Sequence, residues 1–324
     1  MSALITEEEK NRNDVDRFFE HAPVPADFDQ IKSSLQKFTQ KQESNGVKIV
    51  CVTSGGTTVP FEKNTVRFLD NFSSGNRGAS CTEHFLRQGY AVVFLSRIGS
   101  ATPFARKFQK LLSPSYDLKF LQYLKVQDDG HLAIEFGTEK SKEQSAAQIL
   151  KEYEGVCKES RLINVPFHTL GEYLVMLKMI ALEMNLIKQP PLFILAAAVS
   201  DFYIPYEELE THKIQSGSGL ALELEQVPKL LGVLRKEWAP NAMVVSFKLE
   251  TDHNILIKKA KDAITKYGVH LVVANELHSR YEEVFLVSSE EEEKISRGEN
   301  EELESELVHV LSDRHDTFLT KHTM

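Results

Sequence analysis

The alternation of short apolar runs with helical patterns constrains the fold of this chain most. Between residues 47 and 275, six runs have the length and apolar character of buried strands: VKIVCV, AVVFLS, RLINVPF, LFILAAAV, MVVSFKL and HLVVAN. Between two of them, residues 170–184 repeat apolar side chains at helical spacing and form one buried stripe. Strands that alternate with helices predict an α/β fold: a Rossmann-like, mostly parallel sheet with helices on both faces.

The boundaries of this pattern predict a single elaborated domain over residues 46–324, preceded by an N-terminal helical arm over 1–45. The arm contains two helical patterns with few apolar positions. Residues around 105–165 show no firm period except a helical stretch at 139–158, and we interpret them as an insertion. Near the C-terminus, EVFLVSS at 283–289 predicts an edge strand, and the glutamates at 290–293 predict a solvated turn.

Composition and charge exclude several classes of protein. The net charge is −9, without the basic stripe of a nucleic-acid-binding protein. No apolar run approaches the ~20 residues that span a bilayer, and the polar N-terminus does not resemble a secretory signal. Three cysteines without paired spacing predict neither disulfides nor a zinc site. We therefore expect a cytoplasmic enzyme, compatible with presence in the nucleus, that binds no nucleic acid, no membrane and no metal through its own ligand cluster.

Two glycine clusters after the first strand predict a phosphate site. TSGGT at 53–57, which includes Gly55, follows the strand directly, and NFSSGNRGA at 71–79 opens the next helix. Glycines let the backbone approach a ligand, and the amino end of a helix attracts anions through its free N–H groups and its dipole. Gly75 and Gly78 lie at this helix start, where Ser73 and its neighbour Ser74 are predicted to cap it.

The segment between the two clusters excludes better-known phosphate loops. It lacks the Gly-Lys-Ser/Thr ending of a P-loop and the compact spacing of GxGxxG. It places Arg67 and Asn71 between the clusters, where both can contact a charged ligand. The second strand ends in Arg97 instead of an acidic residue, which disfavours NAD but leaves an NADP 2′-phosphate site open.

Two further strand ends carry candidate residues. AAAVSDFY at 196–203 combines small residues, including Ala197 and Ala198, with Asp201. Lys213 follows in HKIQS, next to a Gly/Ser stretch that predicts a mobile flap. Phe247 and Asn275 end two later strands, where a ring can stack on a base and an amide can hydrogen-bond to its edge. Each of these residues also has an ordinary structural interpretation, as a cap, a surface lysine, a core ring or a turn residue.

The motifs TSGGT, VRFLDNFSSGNRGA, AAAVSDFY, HKIQS, FKLET and VVAN together resemble phosphopantothenoylcysteine synthetase (phosphopantothenate–cysteine ligase) in its stand-alone eukaryotic form. The resemblance covers about residues 45–290 and is weakest at 105–165. It implies a ligase of coenzyme A biosynthesis that joins 4′-phosphopantothenate to L-cysteine, consumes a nucleoside triphosphate through an acyl-nucleotidyl intermediate, and releases pyrophosphate. It favours ATP over CTP as co-substrate, and it implies Mg²⁺ and a homodimer.

The resemblance also implies roles for individual residues. The nucleotide-binding residues would be Gly55, Ser73, Gly75, Gly78, Phe247 and Asn275. The catalytic residues would be Asn71, which holds the acyl intermediate, Lys213, which offsets phosphate charge, Arg67 and Asp201. The phosphopantothenate would contact Arg67, Ala197, Ala198 and Asp201, with Arg67 reaching across the dimer interface.

Two alternatives remain open at this point. An NADP-dependent reductase fits the Rossmann-like start and Arg97. A non-catalytic nucleotide-binding regulatory subunit would keep the fold without the chemistry, although Asn71, Asp201 and Lys213 are all present.

Overall fold

The computed structural model describes residues 6–112, 118–215, 219–299 and 301–322, and a central sheet organises them. Its strands follow the order β14-β13-β12-β11-β8-β1-β4-β7. The six strands from β12 to β7 are parallel, and β13 and β14 are antiparallel to their neighbours. The sheet strands are β1 (Ile49–Ser54), β4 (Ala91–Arg97), β7 (Leu162–Phe167), β8 (Leu192–Leu195), β11 (Met243–Glu250), β12 (Leu271–Glu276), β13 (Glu283–Val287) and β14 (Glu292–Ser296).

Three short hairpins supplement the sheet, and helices connect its strands. The hairpins are β2 (Thr58–Pro60) with β3 (Phe68–Asp70), β5 (Leu124–Val126) with β6 (Leu132–Ile134), and β9 (Phe202–Tyr203) with β10 (Glu225–Gln226). The α-helices of the described residues are α1 (Glu7–His21), α2 (Phe28–Ser44), α3 (Asn76–Arg87), α4 (Ala105–Leu112), α5 (Lys140–Glu159), α6 (Leu170–Met184), α7 (Leu230–Val233), α8 (His253–Tyr267) and α9 (Leu303–His322). A π-helical turn, Leu234–Trp238, continues α7.

Helices cover both faces of the sheet, as the sequence predicted. Along β1, the side chains of Ile49 and Cys51 enter one hydrophobic cluster, and those of Val50 and Val52 enter another. The first cluster contains the buried stripe of α6, and the second contains the apolar faces of α3 and α9. Because side chains alternate along a strand, a sheet buried on both faces needs apolar residues at every position, which explains the continuous run in the sequence.

The strand order creates a crevice in the middle of the sheet. Chain order runs outward from β1 through β4 to β7, then returns and runs outward from β8 through β11 to β12. The connections after β1 and β8 therefore depart in opposite directions. In open α/β sheets, ligands bind outside the carboxyl ends of the strands at such a switch point.

The N-terminal helices and the predicted insertion differ in how they pack. Val15 and Phe18 of α1, and Leu35 and Phe38 of α2, are buried in the same cluster as α6, so these helices form part of the core. Within the insertion, Tyr123, Phe136 and Ala146 form a small separate cluster. The insertion ends before Leu162, because β7 is a strand of the main sheet.

Two expectations for the C-terminal region are wrong. β13 is not the edge strand, since β14 pairs with it and forms the edge. The glutamates at 290–293 divide between the turn and β14, whose exposed positions tolerate charge on a solvent-facing edge. Among the described residues, no helix has the length and apolarity needed to cross a membrane.

Candidate active site

A cleft of about 740 Å³ opens at the switch point. It lies between the start of α3, the ends of β8, β11 and β12, and the segment that leads into α7. Six residues predicted for the site line it: Ser73, Ala197, Ala198, Asp201, Phe247 and Asn275. The volume is in the range of small-molecule sites.

The amino end of α3 faces this cleft. Gly75 is its N-cap, in the left-handed conformation with φ 77°, and no side chain caps the helix. The predicted capping by serine is therefore wrong: the hydroxyls of Ser73 and Ser74 lie 3.4 Å from the N atoms of Gly75 and Asn76, too far for strong hydrogen bonds. A helix start without a side-chain cap, lined by serine hydroxyls, is a suitable site for a phosphate group.

Glycines allow the phosphate loops to pack closely beneath the cleft. A Cβ on Gly78 would lie 2.5 Å from the Cβ and Oγ of Ser54, so α3 can approach β1 only with glycine here. A Cβ on Gly56 would lie 1.7 Å from the carbonyl oxygen of Asn71, and Asn71 N donates to the Thr57 carbonyl at 3.1 Å. Gly55, with φ 89°, completes this turn. The predicted glycines thus lie under the cleft, and they fix the backbone at Asn71 against the first glycine cluster.

Hydrogen bonds join the two sides of the switch point. Thr53 Oγ1 accepts from Ala197 N at 3.1 Å. Ala198 N donates to the Gly55 carbonyl at 2.8 Å, and the Ala198 carbonyl accepts from Thr57 N at 3.0 Å. These bonds leave the small alanine side chains along the cleft, where a ligand can lie against the backbone. Asp201 follows as an exposed carboxylate in the cleft lining.

The opposite end of the cleft has the properties of a base site. Phe247 is half-buried, and Asn275 is only 5% exposed. Asn275 Nδ2 donates to the carbonyls of Lys248 at 3.3 Å and Val273 at 3.0 Å, which fixes the orientation of the amide. Its Oδ1 is buried without a hydrogen-bond partner. A ligand group that donates a hydrogen bond would satisfy this acceptor.

Sequence reasoning missed the positive charge of the cleft. Six cationic side chains line it, against the two carboxylates of Asp201 and Asp262; the cations are Arg77, Lys229, Lys248, Lys259, Lys266 and Arg280. Lys259 donates to Glu250 at 2.8 Å and lowers the pKa of that carboxyl. Arg77, Lys248 and Lys266 also pair with carboxylates, namely those of Glu304, Glu250 and Glu7. The excess of positive charge is therefore smaller than the lining alone gives, but in a chain of net charge −9 it still favours an anionic ligand. Arg77 and Lys248 lie within the motifs SGNRG and FKLET, and that position was the available signal.

Besides the three predicted glycines, Asn71, Arg67 and Lys213 also lie outside the lining of the cleft. The Arg67 guanidinium pairs with Glu62, with 2.9 Å between Nη1 and Oε1. Lys213 is exposed. Of the predicted flap, residues 216–218 lie outside the described residues. Arg97, the candidate contact for an NADP 2′-phosphate, is paired with Asp70 at 2.7 Å, which removes the main support for a reductase.

The described residues contain no group of three or more His, Cys, Asp and Glu side chains that could hold a metal ion. Mg²⁺ that accompanies a nucleotide usually binds through one or two carboxylates, water and the phosphates themselves. Asp201 fits such a limited role. All three cysteines are free, and burial raises the pKa of Cys51 and Cys81, so neither of these two is a ready nucleophile.

A second cavity of about 190 Å³ lies between α1, β2 and the start of α6. Its lining is mostly apolar, as at Phe18, Pro60 and Tyr203, and it contains none of the predicted site residues. The larger cleft is therefore the candidate active site, because it alone of these two combines the switch point, the helix start and the predicted residues.

Comparisons with known proteins identify the family of the chain. Residues 175–314 match the family described as DNA/pantothenate metabolism flavoprotein C-terminal domain. A phosphopantothenate–cysteine ligase of Arabidopsis thaliana is 43% identical over 95% of this chain and 96% of its own length. The Homo sapiens ligase is 42% identical over 88% and 92%. A solved structure of a Cab2 variant in complex with phosphopantothenate-cysteine has 39% identity and a TM-score of 0.85, and the match covers 95% of this chain and all of that one.

The resemblance inferred from the motifs is thereby confirmed over almost the whole chain, and so is the predicted Rossmann-like fold. On these grounds, the chain belongs to the phosphopantothenate–cysteine ligases, a family of coenzyme A biosynthesis.

Proposed function

We propose that this protein joins 4′-phosphopantothenate to L-cysteine in the switch-point cleft, with ATP as the activating nucleotide. The observation that carries the proposal is the combination, in one cationic cleft, of a helix start without a side-chain cap and a base site with a free acceptor. The nucleotide and phosphopantothenate are both anionic, so both are complementary to the cationic side chains that line the cleft.

The three ligand groups would bind at three parts of the cleft. The triphosphate would lie at the start of α3, over Ser73 and the backbone held by Gly75. The base would lie at Phe247 and Asn275, and phosphopantothenate along Ala197, Ala198 and Asp201. The Cab2 variant, which was solved with phosphopantothenate-cysteine bound, has the same fold over its full length, and this supports phosphopantothenate as a substrate of this chain.

The free acceptor of Asn275 restricts the base. Since Nδ2 is already engaged by two carbonyl groups, Oδ1 is the atom left to contact the ligand, which has to displace the protein atoms that cover Oδ1 in the unliganded cleft. It requires a donor, which the exocyclic amines of adenine and cytosine provide at the position where guanine and uracil carry a carbonyl oxygen. A carbonyl there would leave two acceptors facing each other, a buried mismatch that costs ~1–3 kcal/mol. This favours ATP or CTP, and the resemblance to eukaryotic forms favours ATP.

The reaction proceeds in two displacements. A carboxylate oxygen of phosphopantothenate bonds to the α-phosphorus, the bridging P–O bond breaks, and pyrophosphate leaves with the electron pair. The cysteine nitrogen then bonds to the acyl carbon, the C–O bond to the nucleotide breaks, and the nucleoside monophosphate leaves while the amine loses its proton to solvent. Donors fixed where negative charge develops are worth ~10²–10³ in rate each.

Asn71 and Lys213 would supply such donors. Asn71 is held by its backbone beside the first glycine cluster, one residue before the cleft-lining Phe72. Lys213 would move from its exposed position to the phosphates during the first step. Mg²⁺ bound with the triphosphate, with Asp201 as a candidate ligand, would reduce the charge of the phosphates.

We also propose a homodimer that forms through the β2–β3 hairpin. Four apolar side chains of this hairpin and its flank are largely exposed in the single chain: Val66, Phe68, Leu69 and Phe72, the last at 94%. Exposed large apolar side chains concentrated in one short segment are typical of a protein interface. Analytical ultracentrifugation tests it: Phe68→Glu should give monomers, and a dimer that persists would refute this choice of interface.

One assay separates the candidate functions. Pyrophosphate release would be measured with ATP, CTP, GTP or UTP, with and without each of the other substrates. We expect sustained pyrophosphate release only when phosphopantothenate and cysteine are both present. Release should be faster with ATP and CTP than with GTP and UTP. Absence of release with all four nucleotides would refute the ligase and favour a regulatory subunit.

A further inference from the structure

A buried carboxylate at the tip of the β2–β3 hairpin has no role in the function proposed above. Glu62 is completely buried, and its Oε1 lies 2.9 Å from Arg67 Nη1. Its Oε2 accepts from the Arg67 backbone N at 2.9 Å. Burial favours the neutral acid, but the backbone N–H groups of Arg67 and Ile214 and the Arg67 guanidinium outweigh it and lower the pKa of Glu62. The carboxylate is thus charged and fully engaged.

The same ion pair holds a second segment, Thr211–Gln215, which contains Lys213. The Ile214 backbone N donates to Glu62 Oε1 at 3.3 Å, and the Ile214 carbonyl accepts from Arg67 Nη1 at 3.0 Å. Both backbone groups of the residue that follows Lys213 are therefore bound by one acid–base pair. At the preceding end, Lys63 N donates to the Glu210 carbonyl at 2.8 Å.

These contacts matter because the segment has little else to define its position. It carries no regular secondary structure, and Lys213 itself is exposed. Fixing a backbone residue in one conformation costs conformational entropy. The buried pair offsets that cost at Ile214, which is the residue directly after Lys213. The position of the Lys213 backbone is thus determined from the hairpin.

We infer that Glu62 is a positioning residue for the ligase reaction: together with Arg67 it forms a clasp on Ile214 that sets where Lys213 can reach. The clasp means these contacts among Glu62, Arg67 and Ile214. The inference rests on the proposed role of Lys213. It also gives Arg67 a structural task within its own chain, in addition to its predicted contact with phosphopantothenate.

The effect should appear in the first displacement. A misplacement of about 1 Å can reduce a rate about 10²-fold, so Glu62→Gln should lower the rate of acyl-nucleotide formation by up to about that factor. Glutamine replaces one of the two carboxylate oxygens with an NH₂ group, which donates and does not accept. The clasp therefore loses one hydrogen-bond acceptor and its negative charge. kcat/KM for cysteine should stay within about two-fold of the wild-type value (~0.4 kcal/mol), because it reports the second displacement, at a site the clasp does not touch.

The test uses the full chain and measures phosphopantothenate-dependent exchange of labelled pyrophosphate into ATP, which reports the first displacement alone. Glu152→Gln is the matched control, since Glu152 also pairs with an arginine, Arg87, at 2.7 Å, but on α5 far along the chain from the clasp. Hydrogen exchange of residues 211–215 gives a second readout, and we expect faster exchange in Glu62→Gln and unchanged exchange in the control.

A double-mutant comparison decides whether Glu62 acts through Lys213. If it does, Glu62→Gln combined with Lys213→Ala should be no slower than Lys213→Ala alone. Rates that multiply, or a Glu62→Gln rate equal to wild type at full folding, would overturn the inference. If Glu62→Gln does not fold, Glu62→Asp keeps the charge with a shorter reach and serves in its place. Failure of the proposed function gives a distinct result: the wild-type protein then shows no pyrophosphate exchange. The hydrogen-exchange comparison of residues 211–215 still tests the clasp in that case.

Discussion

Replacement of Gly78 by alanine tests whether the close approach of α3 to β1 builds the phosphate site. The new Cβ would lie 2.5 Å from the Cβ and Oγ of Ser54 and 3.0 Å from the Thr53 carbonyl. All three atoms lie at the end of β1; the carbonyl oxygen is backbone and the Cβ is fixed to it, so the helix has to move. Overpacking of this kind costs ~1–3 kcal/mol, while alanine gains ~1 kcal/mol of helix propensity over glycine. We expect a net loss of stability of up to ~2 kcal/mol.

Gly155→Ala is the matched control, because Gly155 lies inside α5 and a Cβ added there would meet nothing within 4 Å. It should gain up to ~1 kcal/mol from propensity alone. The two substitutions are chemically identical but should therefore shift the free energy of unfolding in opposite directions. For a chain of this size, each kcal/mol corresponds to roughly 1–2 °C in Tm.

Thermal unfolding by circular dichroism and steady-state kinetics check both consequences. In Gly78→Ala, Tm should fall and KM for ATP should rise several-fold, because the displaced α3 no longer presents its first N–H groups at the same place. Gly155→Ala should leave KM for ATP unchanged. A Gly78→Ala protein that is as stable as wild type, with an unchanged KM, would refute the argument that this contact shapes the site.

Three further outcomes follow from the site and the core. Asn71→Ala and Lys213→Ala should each lose activity severely and keep the wild-type circular dichroism spectrum; near-normal turnover would exclude that residue from a catalytic role. Asn275→Ala should raise KM for ATP ~2–13-fold, which corresponds to the loss of a neutral hydrogen bond, and should reduce the preference for ATP over GTP. Asn185 also has a buried Oδ1 without a partner, and Asn185→Ala should change neither quantity. Burial lowers the pKa of His315 from 6.5 to about 4, as it does for His270. Each of the two should therefore contribute ~2 kcal/mol to a fall in stability from pH 8 to pH 5, because the unfolded chain binds the protons first. Denaturant titration at the two pH values measures the free energy of unfolding. No fall in the wild type, or a fall in His315→Gln as large as in the wild type, would contradict this prediction.

Much of the fold could be predicted because it depends on local patterns. The six parallel strands and α6 follow from apolar runs and helical spacing, and the chain order of strands and helices requires helices on both faces. The hairpin β2–β3 was missed, since strands of three residues carry no period. β14 was missed for a different reason: a run of glutamates carries no strand pattern, yet an edge strand can pair through its backbone while such side chains stay largely in solvent.

The candidate site was predictable in part, at motifs where sequence neighbours are also spatial neighbours. Ser73, Ala197, Asp201, Phe247 and Asn275 each lie at a strand end or helix start, and parallel strands bring those ends to one edge. The cations that line the cleft were not predictable as a set, because they come from α3, α8 and three loops or strands.

The sequence by itself determined the family, the order of strands and helices, and the loops where the chemistry should occur, because each depends on residues close together in the chain. Only the tertiary structure decided which polar groups are free. It engages the amide nitrogen of Asn275 with two carbonyls and leaves its oxygen unpaired, and it binds Arg97 to Asp70 and Arg67 to Glu62. The physical reason is that hydrogen bonds and ion pairs are satisfied by whatever lies nearest in space, and burial makes each unsatisfied group costly.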